Sequence, residues 1–101
     1  MIYNEHITNM LKHCENVLTT KHKEYATEDH FHNFNVAASL QGVTSQQALI
    51  GMMDKHVVSV HDLVNDHAEG RKISTEMWQE KIGDNIIYLL ILWAMVNMQG
   101  A

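Results

Sequence analysis

The chain has 101 residues, with seven Lys+Arg against twelve Asp+Glu and a formal net charge of −5. That length makes one domain, 1–101, with a single core and little to spare. The charge balance disfavours nucleic acid as a partner: no basic patch appears, and the short cluster Lys21-His22-Lys23 sits beside Glu24 and Glu28.

No proline occurs, and every segment between turn signals favours helix over strand. The N-terminus has no basic region leading into an apolar stretch, so no signal peptide is expected. From about Asn4 to Glu24, Ile7, Met10, Leu11, Cys14, Val17 and Leu18 recur at three and four, which predicts a first helix. Cys14 on this stripe reads as a core residue. As a lone cysteine it allows no intramolecular disulfide, which suits a reducing, cytoplasmic compartment. Asp29 is placed to cap a second helix carrying Phe31, Phe34, Ala37, Ala38 and Leu40, with Gly42 closing its C-terminus. Thr44 with Gln47 has the capping-box pattern and opens a third helix. Its expected apolar face is Leu49, Met53, Val57, Val60 and Val64, and it ends between His67 and Gly70. Ser74 or Thr75 then caps a fourth helix that runs to about Met98, with Gly100 just beyond it. Four helices on short loops predict an all-α, antiparallel four-helix bundle.

Helix three has one dry and one polar face, as a surface helix should. Helix four is apolar on every side from Ile86 to Val96, the pattern of a buried helix. That run is about half the ~20 residues a spanning helix needs, so no membrane partner is expected. Four helices of this size do not bury one of their own members all round. Self-association is the simplest remedy, and a homo-oligomer, dimer or tetramer, is expected.

The segment Glu80-Lys81-Ile82-Gly83-Asp84 sets two carboxylates at i, i+4 just before that apolar run. A carboxylate entering an apolar helix needs a cation, a hydrogen-bond set or a metal. With helices three and four antiparallel, residues whose numbers sum to about 141 lie level. Asp62 then comes opposite Glu80, Ser59 opposite Asp84, and Lys55 opposite Tyr88. Lys55, Ser59, Asp62 and Asp66 share one stripe; Glu80, Asp84 and Tyr88 share another, which continues as Ile91 and Met95. Carboxylates converging from facing helices suit Mg²⁺, or Mn²⁺, together with a substrate phosphate. Such an ion polarises a phosphoryl oxygen and activates water. The plainer readings are a solvated face for Asp62 and Asp66, and an ion pair with Lys55 for Asp84.

Glu80-Lys81-Ile82-Gly83-Asp84 before an apolar helix resembles the second metal motif, E-E-L-G-D, of the MazG-like all-α nucleoside triphosphate pyrophosphohydrolases. A nearer likeness is to small phage and prophage proteins of the nucleotide-modification-associated and related families. It is carried by Lys23-Glu24-Tyr25, Asn33-Phe34, Met52-Met53-Asp54-Lys55-His56 and Asp84-x-x-x-Tyr88, over about Lys21 to Ala94. The resemblance implies a bundle that dimerises through its helices and a Mg²⁺-dependent nucleotide pocket. The family's chemistry splits a nucleoside triphosphate into monophosphate and pyrophosphate. Carried over by position, Glu80 and Asp84 would be metal ligands, with Asp62 assisting. Asn33 and Phe34 would contact base or sugar, and Lys55 the phosphates, with Tyr88 a further substrate-binding residue. The family's first motif, E-E-x-x-E, is absent here, and Lys81 replaces the second glutamate of E-E-L-G-D.

Two further readings stand beside this one. His32, the dipeptide His61-Asp62 and Asp84 offer the residue types of HD-type metal phosphohydrolases. Adjacent residues diverge by about 100° on a helix, however, so His61 and Asp62 are not aimed together by adjacency. His30 and His32, at i, i+2, do not face one another on a helix either. The other alternative is a helical assembly protein without catalysis, in which Glu80, Asp84 and Lys55 form a buried polar network that fixes helix register. The methionines, Trp78, Trp93 and His56 read as packing residues, with His56 on the apolar side of helix three.

Overall fold

The computed structural model describes residues 2–25 and 30–99, with only the backbone described for 21–25. These residues form four α-helices and no strand: α1 (Ile2–Tyr25), α2 (His32–Gln41), α3 (Ser45–Ala68) and α4 (Thr75–Gln99). The chain separates into two compact units, Met1–His30, which holds α1, and Phe31–Ala101, which holds the other three helices. On α1, Cys14 is fully buried while Ile7 and Leu11 are exposed. Asp29, the expected cap of α2, lies outside the described residues, as do Gly100 and the side chains of Lys23, Glu24 and Tyr25.

Capping chemistry sets the boundaries in the second unit. Gly42 takes a left-handed φ of 68°, which lets the N–H groups of Gly42 and Val43 both return to the Ala38 carbonyl. α3 opens on a reciprocal capping box: Gln47 N–H donates to Thr44 Oγ1 at 3.1 Å, and Thr44 N–H donates to Gln47 Oε1 at 2.9 Å. Between α3 and α4, Arg71 reaches back to Asp66 and Glu69, the latter at 3.0 Å. Ser74, rather than Thr75, caps α4, its Oγ accepting the Met77 N–H at 3.1 Å.

α3 and α4 run antiparallel, with His67 against Trp78 near the turn and His56 against Asp84 farther along. Phe31 and Phe34 meet Leu49 of α3 and Met95 of α4, forming the core of this unit. Met52, Tyr88, Ile91, Leu92 and Ala94 pack around them. At the far end, Asn35 Oδ1 accepts from Ser45 Oγ at 2.5 Å and from Gln99 Nε2 at 3.4 Å, which joins all three helices.

Two expected faces are corrected by this packing. On α3 the buried line begins at Ala48 and Leu49 and passes through Met52 and His56, while Val57 and Val64 are exposed. Of the expected face, Leu49 is fully buried and Met53 and Val60 are half-buried, so the correction falls on Val57 and Val64. On α4, Gly83, Ile87 and Met95 are buried, yet Leu89, Leu90, Trp93 and Met98 are exposed. From Ile86 to Val96 α4 is thus apolar all round but covered on one side. By length and composition alone it is also long and apolar enough to cross a membrane.

Candidate functional site

Asp84 lies on the inner stripe of α4, and α3 sets His56 against it, Nδ1 to Oδ2 at 3.5 Å. The two side chains remain 20% and 32% exposed, so the contact lies at the edge of the seam. One turn further on, the Tyr88 ring lies 4.8 Å from the His56 ring at a 40° tilt. Phe34 meets the Tyr88 ring edge-on, with centroids 6.0 Å apart. Asn85 fixes the local register, its Nδ2 donating to the His56 carbonyl at 3.0 Å and to the Lys81 carbonyl at 2.9 Å. Burial, and then the nearby Asp84 charge, hold the Tyr88 hydroxyl above its ordinary value of 10.0.

The levels expected from equal rise are close: the observed pairs of α3 and α4 residues have numbers summing to about 140 to 145. The facing residue differs. Lys55 is exposed and pairs with no carboxylate among the described residues, whereas its neighbour His56 meets Asp84. A step of one residue turns a helix by about 100°, which separates the wet face from the seam. Ser59, expected opposite Asp84, turns to its own helix and donates to the Lys55 carbonyl at 3.0 Å. His56 was legible as a seam residue from its place among apolar neighbours; its pairing with Asp84 was not.

The remaining candidates are scattered. Glu80, Asp62 and Asn33 are exposed, Phe34 is buried in the core, and Asp66 is engaged by Arg71. Among the described residues no three His, Cys, Asp or Glu side chains form a group able to hold a metal ion. Neither Glu80, Asp84 and Asp62 nor His32, His61, Asp62 and Asp84 make a complete ligand set within one chain. What α4 does present is one carboxylate pair, Glu80 and Asp84, a single turn apart. Comparison with protein-family models, with characterised proteins and with solved structures gives no match.

Proposed function

We propose that the protein binds a nucleotide at the α3–α4 seam, in the manner of the MazG-like proteins it resembles. Asp84 carries this reading. It is a partly exposed carboxylate where the inner stripe of α4 turns apolar, and Lys55 does not neutralise it. An ionisable group kept at such a position is a candidate for function.

The roles follow from placement. His56 and Asn85 hold the seam so that Asp84 is presented at its edge. Glu80, one turn earlier, stands in solvent on the same stripe. Lys55, exposed on the adjoining face of α3, is free to meet phosphate charge, and Asn33 is free for a base or sugar contact. Phe34 and Tyr88 act from beneath, as packing that supports Asp84. A divalent ion brought in by the nucleotide, Mg²⁺ or Mn²⁺, would neutralise phosphate charge and polarise a phosphoryl oxygen.

The test is a nucleotide panel with Mg²⁺ or Mn²⁺, read as pyrophosphate release and as thermal shift, with Asp84→Asn alongside. Metal-dependent stabilisation by at least one nucleotide, abolished by Asp84→Asn, is expected. No turnover and no metal-dependent shift with any nucleotide would sink the reading. The contact between His56 and Asp84 favours a second reading, a helical assembly protein in which this pair, with Asn85, sets how α4 lies on α3. Under that reading, Asp84→Asn changes stability and leaves no nucleotide effect to lose.

A further inference from the structure

The carboxylates of α3 and α4 do not gather around one point, but a nitrogen and an oxygen face each other across the seam. His56 Nδ1 stands 3.5 Å from Asp84 Oδ2. A good hydrogen bond between such atoms spans about 2.7 to 3.2 Å, so this separation is too wide for one. It is the right width for two atoms that share an ion. With bonds of about 2.1 Å, neighbouring ligands lie about 3.4 Å apart in a tetrahedron and about 3.0 Å apart in an octahedron.

We propose that His56 Nδ1 and Asp84 Oδ2 are two ligands of a four-coordinate divalent ion of the zinc class, with water or phosphate oxygens in the other two positions. The imidazole has its lone pair to give. His56 makes no other side-chain polar contact among the described residues, and none of their buried side-chain nitrogens or oxygens lacks a partner. Nε2 therefore reaches water, and a proton held there leaves Nδ1 as the acceptor that turns to the seam. The carboxylate has a charge to neutralise. No lysine or arginine pairs with Asp84 among the described residues, and a neutral imidazole leaves a half-buried anion uncompensated where a divalent ion would not.

The two atoms are also held in place. Asn85 ties the backbones together through the His56 and Lys81 carbonyls, and the Tyr88 ring packs against the imidazole. A ligand pair fixed this way loses little freedom on binding. The partial exposure of both side chains leaves the outer side of the ion open for its remaining ligands. Nitrogen and angle together choose the ion. Imidazole suits Zn²⁺ and its neighbours, whereas Mg²⁺ prefers oxygen and a near-ideal octahedron. Two protein ligands make a weaker site than the three of catalytic zinc centres, so the ion should exchange. The pair occupies the seam of the nucleotide reading without resting on it, because the metal alone should bind.

Titration of the full chain with Co²⁺ alone, a spectroscopic stand-in for Zn²⁺, tests it by visible absorption and by NMR of the histidine rings. We expect the intense bands of four-coordinate Co²⁺ and the largest ring shifts at His56, both reversed by Zn²⁺ but not by excess Mg²⁺. Asp84→Asn and His56→Gln should each weaken Co²⁺ binding by roughly tenfold or more, the scale on which even supporting residues of metal sites count. His67→Gln, at an exposed position, should leave it unchanged. A pale octahedral spectrum, shifts spread evenly over the histidines (an adventitious ion only), or parent-like affinity in Asp84→Asn overturns the proposal. If His56→Gln loses its helical circular dichroism, Asp84→Asn and the ring shifts of the parent still decide. Co²⁺ held at His56 with no nucleotide effect would sink the nucleotide reading alone. A Mg²⁺-dependent nucleotide effect with His56 untouched by Co²⁺ would sink this ligand pair alone.

Discussion

Tyr88 sits where the polar and apolar parts of the second unit meet, against Phe34 on one side and His56 on the other. Its raised pKa, from burial first and Asp84 second, gives a stability prediction with a definite sign. Between the unfolded value near 10.0 and the higher folded value, the native state holds more protons than the unfolded state. The stabilisation is therefore complete below pH 10.0 and is lost as pH climbs through the folded value. Thermal melts above that pH should show a fall in midpoint that Tyr88→Phe reduces. An unchanged alkaline fall in Tyr88→Phe would assign the effect to other groups. Asp84→Asn, the variant that tests nucleotide binding, should reduce the same fall by a smaller amount, because it removes only the second cause.

At the scale of the helices, the boundaries were legible wherever a side chain writes its own hydrogen bond. Thr44 with Gln47, and Gly42 at a left-handed φ, stand where sequence pattern put them. The start of α4 was narrowed to Ser74 or Thr75, and the hydroxyl of Ser74 decides it. Thr44→Ala removes an acceptor from the first turn of α3 and should cost about 1 kcal/mol, measured by urea unfolding. A loss near zero would mean that Gln47 alone holds the turn. Helix faces were less legible than helix ends. A face depends on what packs against it, and the period that carries Leu49 into the core cannot say that Val57 and Val64 stay wet. The residue facing Asp84 was missed for the same reason. Equal rise fixes the level along an axis but not the angle about it, and an error of one residue exchanges Lys55 for His56.

For the whole molecule, composition and hydrophobic patterning were enough to give four helices and their order, and to show that α4 holds more apolar surface than its own unit covers. They could not distribute that surface between an inside and an outside. A helix with two greasy sides can be installed two ways round, and burial alone makes the wrong way nearly as attractive as the right one. The observed packing turns the inner stripe in, where Asp84 meets His56. Rolled by half a turn, Asp84 would exchange that contact for water while Ile82 and Leu89 filled the seam. Replacing it with leucine should therefore leave helix content and melting temperature close to those of the parent. What should deteriorate is singleness: amide resonances of α4 would broaden or double as the rolled arrangement gains population, whereas one sharp set would mean that the Asn85 hydrogen bonds to His56 and Lys81 suffice to orient the helix. Doubled resonances would make Asp84, through its contact with His56, the mark of which side of α4 is the inside.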